Sequence, residues 1–488
     1  MEKNNDINPC SMEQELAGRA GELEARRGMR AELLADITLK AIGKGVKSNE
    51  AEINGLMTAT KGQCANSLRE LVVNEIVRSA EERLWCPSYE MKLRGNQRMM
   101  VFTGRHWEAV EPQQWMDFVD ACAVSCGIPE SMIMNHAFMN MLYENVAFNL
   151  KEYRRQTLPE GELWLNVSNG TLVLRKDGTV QLREHRKEDL FTYVLPYPYD
   201  AQATCPLWHS HLDKVLPEAE AQQVLGEFTG YCMTTGHALE KILMLYGEGQ
   251  NGKSVTLEVI EALLGSTNVS YLSLSDLTCD DVKRAGIEGK LLNISHESGK
   301  DVNANVLKQL TSGERVLIKH LYRDPYETRD YGKFMAAFNV LPRAENTFGF
   351  FRRLIILPFE VTIDKDEIDR HLTAKLKTEL PGILNWTLEA LTGLMARGEF
   401  TPSKSCERAL ERYRLQSDSV RLFLTEMCET SPFTSTASEL FTAYRNYCFA
   451  SSLKSLGKMK FIVRLEALGY VPELYGNLKY FHLKITER

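Results

Sequence analysis

Between Lys241 and Leu264 the chain reads KILMLYGEGQNGKSVTLEVIEALL, and its residue types fit one chemistry. An apolar run, Ile242 to Tyr246, breaks at Gly247-Glu248-Gly249-Gln250-Asn251-Gly252-Lys253-Ser254, and an amphipathic pattern follows with Val255, Val259, Leu263 and Leu264 on one side. Strand, glycine-rich turn and helix in that order are the context that makes a GxxxxGK[ST] pattern a phosphate site. Gly247, Gly249 and Gly252 let the backbone curl with its N–H groups inward, at the positive end of the following helix. Residues Gly247 to Val255 are therefore the expected cradle for the polyphosphate of ATP. Lys253 is suited to reach the outer phosphates, and the Ser254 hydroxyl to ligate Mg²⁺.

Four further groups fit the same chemistry. Gly289 to Glu297 reads as a second parallel strand ending in a carboxylate, which makes Glu297 the candidate base or water-orienting group and a second Mg²⁺ ligand. A third strand, Lys333 to Phe338, ends at Asn339, whose neutral amide could hold a water or sense the outermost phosphate. Arg352 and Arg353 directly precede a fourth apolar strand. Paired arginines there suit transition-state charge stabilisation, supplied in trans within an oligomer, or an ordinary surface ion pair. Lys308 to Tyr326 alternates like a hairpin and carries Lys319, His320, Tyr322 and Arg323 toward its tip, a basic and aromatic mixture suited to a nucleic-acid backbone and its bases.

These groups need elements to hold them. Residues 1 to about 90 are rich in Glu, Arg, Lys and Ala and read as short solvated helices. Met99 to Phe102 and Trp107 suggest a hairpin, followed by helical patterns to about Arg155. Leu163–Val167, Thr171–Arg175 and Val180–Arg183 are short strands separated by Asn169-Gly170 and Asp177-Gly178 turns. A Pro/Tyr-rich connector, Tyr193 to Cys205, leads into a helical segment, Pro206 to Tyr231, that delivers the chain to the glycine loop. Beyond residue 366 come helices to about 400, then an amphipathic helix from Leu415 to Cys428. Two more, Thr436–Ala450 and Met459–Leu468, precede a strand starting at Gly469-Tyr470-Val471 and a return strand, Leu478 to Ile485. This last arrangement resembles a winged helix, locally basic through Lys454, Lys458, Lys460, Arg464, Lys479 and Lys484, and suited to contact either DNA or protein.

At 488 residues the chain is too long for one compact core. Hydrophobic content of 44% and charged content of 25% are those of a water-soluble globular protein. No apolar run approaches the ~20 residues of a membrane helix, and MEKNNDINPC has no signal-peptide core, so the expected location is the cytoplasm. The 11 cysteines are scattered, and Cys122 and Cys126 read as helix-core residues. A net charge of -7 argues against a uniformly basic nucleic-acid coat but leaves room for a local basic channel.

Taken together, the loop with Asn251 inside it, the Ser-x-Glu strand end, Lys-Gln-Leu-Thr-Ser-Gly-Glu, the basic hairpin, the Asn-x-Leu-Pro strand end and Phe-Phe-Arg-Arg resemble the superfamily III (AAA+) helicase module of phage and plasmid primase-helicases, related to the poxvirus primase-helicase. NGTLVL and DLFTYVLPYPYDAQATCPLW resemble the domain preceding it. The resemblance implies an α/β fold with an AAA+ P-loop ATPase core at 231–365 and an α+β domain at 93–230 before it; the residue patterns outside them read as a helical extension at 1–92, a helical closing segment and linker at 366–430 and a winged-helix-like domain at 431–488. It implies Walker A positions at Gly247, Gly252, Lys253 and Ser254, the Walker B acid at Glu297, the sensor at Asn339, DNA-tracking residues at Lys319 and His320, and the arginine finger at Arg352 or Arg353. It further implies a hexameric ring moving 3′ to 5′ on single-stranded or forked DNA, beside a separate primase or other replication proteins, for a phage, prophage or plasmid in a bacterial cell. His296 stands where many relatives have a second acid. No primase activity is expected of this chain. The competing reading is an ATP-dependent initiator or loader that binds origin DNA without processive unwinding.

Overall fold

A computed structural model describes residues 72–74, 76–81, 85–87, 99–126, 128, 130–150, 158–296, 302–321, 324–341, 348–451, 453, 455–475 and 478–486. The chain forms two compact units, one of residues 1–157 with 184–194, the other of residues 158–183 with 195–488. Of the expected helical extension, nearly all lies outside the described residues.

In the first unit, strands β1 (Trp85–Pro87), β2 (Met99–Phe102) and β3 (Trp107–Ala109) make an antiparallel sheet in that order, with the expected hairpin pairing Val101 to Glu108. Helices α1 (Pro112–Ser125), α2 (Glu130–Ile133) and α3 (His136–Asn149) follow, with Pro112 at the first turn of α1 and Asn135 capping α3 through Ala137 and Phe138. Cys122 and Cys126 are buried in this core, beside Phe118 and Val119.

The second unit opens with the expected meander, β4 (Glu162–Val167), β5 (Gly170–Arg175) and β6 (Val180–Arg183). The helical segment from Pro206 divides in two, α4 (Pro206–Val215) and α5 (Ala219–Cys232), because Pro217 bars its predecessor from helical geometry. Then comes the central sheet. Its strands β7 (Ile242–Tyr246), β8 (Val269–Ser270), β9 (Leu292–Ser295), β12 (Lys333–Phe338) and β13 (Leu354–Pro358) are all parallel and lie in the order β13-β7-β12-β9-β8. Ile242 to Leu245 are fully buried, as expected of a parallel strand covered on both faces. Helix α6 (Lys253–Leu264) follows β7, and α7 (Leu274–Cys279) and α8 (Asp281–Arg284) lead toward β9.

Three expectations shift here. The hairpin does not begin at Lys308, because Ala304–Thr311 is a helix, α9, capped by Asn303 and burying Leu307, Leu310 and Thr311 on one face. The hairpin itself is β10 (Val316–Ile318) paired with β11 (Tyr326–Thr328). After α10 (Phe348–Phe351), α11 (Leu372–Lys377) and α12 (Leu380–Arg397), an unanticipated helix, α13 (Lys404–Gln416), absorbs the start of the expected Leu415–Cys428 helix. The rest is α14 (Ser419–Met427), begun afresh where the Asp418 side chain accepts from the amides of Val420 and Arg421. Cys428 belongs to a strand, β14 (Cys428–Thr436), which joins β15 (Glu473–Tyr475) and β16 (Leu478–Ile485) in one sheet. Helices α15 (Ala437–Ala450) and α16 (Lys458–Ala467) sit as expected. The strand expected at Gly469 starts at Glu473, delayed by the positive φ of Gly469 and by Pro472.

The helix layer under the sheet is tightly seated. A Cβ at Gly226 would meet Ala390 and Trp386, and one at Gly230 would meet Leu391, so α5 and α12 approach at glycine distance. Glu227, fully buried, pairs with Arg397 and accepts from the Thr401 amide at 2.8 Å. Among the described residues no helix is long and apolar enough to cross a membrane.

Lys333, at the start of β12, is 1% exposed. Its ammonium donates to the Thr234 carbonyl and lies 4.7 Å from the centre of the Tyr231 ring. Burial pulls its pKa from 10.5 to about 8. Between those values the unfolded chain holds the proton and the folded chain does not, so this residue makes stability rise with pH across that window. Urea unfolding should find the wild type gaining stability relative to Lys333→Met between pH 8 and 10.5. A pH-independent difference would refute the assignment.

Candidate functional site

The parallel sheet puts the ends of β7, β9 and β12 on one edge, and the sequence-derived groups after β7 and β12 meet there. Gly247 leaves β7 with its amide bonded to the Phe338 carbonyl at 3.1 Å. The loop needs its glycines for different reasons. A Cβ on Gly247 would strike the Phe359 carbonyl and the Asn251 amide. Gly252 has φ +84° and would press Val215 at 2.6 Å and His211 at 3.2 Å. Gly249 faces open space. Gln250 holds φ +60° without being glycine, and its carbonyl accepts from the Ile363 amide at 2.8 Å.

Lys253 opens α6 and is 6% exposed. Its ammonium folds over the loop, donating to the carbonyls of Gly247 and, at 3.4 Å, Glu248, to Asn251 Oδ1 at 3.0 Å and to Asn339 Oδ1 at 3.3 Å. Loop and β12 end are thus joined through one cation. Ser254 and Glu248 are exposed beside it, and Val255 is half-buried. Asn251 is 4% exposed and faces down: its amide donates to the Phe359 carbonyl at 3.1 Å and to the Glu248 carbonyl. Beneath the loop, His211 of α4 shares a hydrogen bond with Thr256 at 3.0 Å, and burial, then the charge of Lys214, pulls its pKa down to about 4, so it is neutral at ordinary pH. Glu297 lies outside the described residues; its neighbour His296 is exposed just past the end of β9.

The arginines do not join this group. Arg353 precedes β13, which runs parallel to β7 with Leu354 opposite Ile242, and its carbonyl accepts from the Ile242 amide at 2.9 Å. Five residues of β7 separate it from Gly247, roughly 16 Å, more than an arginine side chain spans. The two guanidiniums also differ. Arg353 is fixed by Ser312 Oγ at 2.8 Å and the Gly349 carbonyl at 2.5 Å, with 14% of its side chain exposed. Arg352 is 44% exposed and held by Glu240 at 2.5 Å.

The hairpin too differs from expectation. His320 is drawn back from the tip, with Nε2 3.1 Å from a Glu288 carboxylate oxygen and 3.2 Å from the Tyr326 hydroxyl, and its ring stacks on Tyr326. Lys319 is exposed. Tyr322 and Arg323 lie outside the described residues.

A family model described as "D5 N terminal like" matches residues 89–217, and one described as a family of unknown function, DUF5906, matches residues 245–353. "Putative helicase 184R" of Invertebrate iridescent virus 6 is 28% identical over 214 residues, 38% of this chain and 21% of that protein. "Putative helicase 022R" of Frog virus 3 is 23% identical over 245 residues, 44% of this chain and 25% of that protein. The chain resembles the phage and viral primase-helicases. It spans about a quarter or less of the length of these viral relatives. The solved A form apo structure of the NrS-1 C terminal region covers 81% of this chain and 98% of its own, at a TM-score of 0.43 and 9% identity.

Three participants escaped the sequence reading. His211 and Val215 come from a helix some forty residues upstream, and no spacing rule ties them to the loop. Glu240 sits in an irregular turn before β7. Asn251 was visible, but as a phosphate contact; the structure turns its side chain toward the sheet.

Gly252→Ala should lower stability by at least about 1–2 kcal/mol, since it adds left-handed strain to a collision with Val215, while Gly249→Ala should be near neutral. Urea unfolding of the two variants checks the loop geometry, and equal losses would contradict it.

Proposed function

We propose that this chain is an ATP-hydrolysing DNA helicase subunit of the superfamily III (AAA+) type, serving replication of a phage, prophage or plasmid-type element, whose arginine acts on a neighbouring subunit. The observation that carries the reading is the meeting of Lys253 with Asn339 at one edge of the sheet, while Arg352 stands at the other. The first is what a polyphosphate cradle with a sensing amide needs. The second keeps Arg352 away from the cradle of its own chain, which favours its use by another copy in a ring.

The residues of the cradle suit ATP with Mg²⁺: a curled loop at the head of α6, a buried ammonium, and an exposed hydroxyl, Ser254, next along the helix. The ion would neutralise charge on the outer phosphates. Lys253 would exchange the oxygens of Asn251 and Asn339 for those of a phosphate, and Asn339 would orient a water. Glu297 is proposed as the base that takes that water's proton. Lys319 and Arg323 are the residues proposed to meet the DNA backbone, and His320 braces the hairpin through Glu288. The two helices and two-stranded wing of residues 437–485 support a winged-helix module. Two of its basic residues are committed to acids, Arg464 to Asp418 at 2.6 Å and Lys479 to Glu466 at 2.7 Å, which supports protein rather than DNA contact there.

A second reading, an ATP-dependent initiator or loader that binds DNA without unwinding it, draws support from the restraint on His320. Steady-state ATP hydrolysis with and without single-stranded DNA, beside unwinding of a forked duplex, separates the two. DNA-stimulated hydrolysis with unwinding is expected. DNA binding and hydrolysis without unwinding would favour the initiator.

Lys253→Ala should reduce hydrolysis by about two orders of magnitude or more, and near-normal turnover would sink the cradle. Lys319→Ala should leave DNA-free hydrolysis intact while lowering its stimulation by single-stranded DNA; unchanged stimulation would remove the hairpin from the reading.

A further inference from the structure

Glu240 is a non-glycine residue with φ +50°, in the turn between α5 and β7. Such a conformation persists where surroundings impose it, and it gathers at sites where geometry is used. The surroundings are on hand. The Glu240 amide donates to the His237 carbonyl at 3.0 Å, the His237 ring bonds the Gly332 carbonyl at 2.9 Å, and the Leu239 amide donates to the Tyr231 hydroxyl at 3.3 Å. The turn is therefore anchored at α5 and at Gly332, the residue just before β12.

From that turn one carboxylate oxygen, Oε2, takes both arginines: Arg352 Nη2 at 2.5 Å and Arg353 Nη2 at 3.3 Å. The two cations are not equivalent. Arg353 is locked by Ser312 and Gly349 and cannot follow a departing carboxylate, so it fixes Glu240. Glu240 in turn fixes Arg352, whose backbone is held by Lys241 Nζ on its carbonyl at 2.5 Å. Without the shared anion, two adjacent guanidiniums would repel, and the exposed one would swing through solvent.

We infer that Glu240 is a positioning residue that presents Arg352 to a neighbouring subunit's nucleotide, relaying the rigidity of Arg353 to it. The inference rests on the proposal that Arg352 acts in trans, and names the residue that makes that action efficient. A flexible arginine must be ordered at each encounter, and misplacement of a charge-stabilising group by an ångström is costly. Half-exposure keeps the Glu240–Arg352 pair weak enough to yield to a phosphate.

The test uses the 488-residue chain and ATP. Glu240→Gln should lower kcat roughly ten- to hundredfold with KM for ATP near the wild-type value, because the cradle is untouched. Glu240→Gly relieves the backbone strain, so it should lower kcat comparably while its Tm stays level or rises; a merely structural residue would lose both together. Mixing Glu240→Gln with Lys253→Ala subunits should restore hydrolysis above the sum of the two, since the second offers an intact Arg352 to the first. Glu240→Gln turning over at the wild-type rate, while Arg352→Ala is inactive and rescued by the same mixing, would overturn the role of Glu240 alone. Arg352→Ala retaining full hydrolysis would overturn the trans reading and this inference with it. A Tm loss in Glu240→Gln matched by Glu240→Gly, without rescue on mixing, would make the residue structural.

Discussion

Everything at this site follows from the polarity of a parallel sheet. Five strands running the same way bring their C-terminal ends to one edge, so groups far apart in sequence, Gly247 to Lys253 and Asn339, become neighbours, with one buried ammonium shared between them. The same polarity forbids Arg352 from joining them, because it lies before a strand and not after one. What a single chain cannot assemble, two copies related by rotation could.

Burial beneath the loop is nearly all protein. Asn251 fills the space under the curl, Val215 and His211 press on Gly252, and Phe359 offers its carbonyl to the Asn251 amide. A neutral imidazole suits that position better than a charged one, since burial and the charge of Lys214 both oppose a cation there. The curl of the loop is thus held by contacts within the chain itself.

Much of this was legible in the sequence because the strong signals are local. β7, β12, β13 and the β4–β6 meander fall on the stretches that apolar runs and Asn-Gly or Asp-Gly turns mark out. What escaped is tertiary. Lys308 alternates acceptably for a strand, yet Asn303 caps a helix through it. Leu415 to Cys428 has continuous helical periodicity, and only the aspartate at 418, read as a cap, breaks it. The roles of Glu240, His211 and Asn251 depend on partners dozens of residues away, and no window along the chain contains them.

Asp418 does more than start a helix. It is 3% exposed and accepts two hydrogen bonds from Arg464, at 2.9 and 2.6 Å, while Tyr413, five residues earlier, is packed into the core of the central sheet, and Val420, two residues later, into the core of the last subdomain. The two cores are therefore joined by a joint too short to bend freely and riveted on one side by an ion pair. Torque applied to α13 at the sheet would arrive at the C-terminal subdomain as rotation, with little lost to slack.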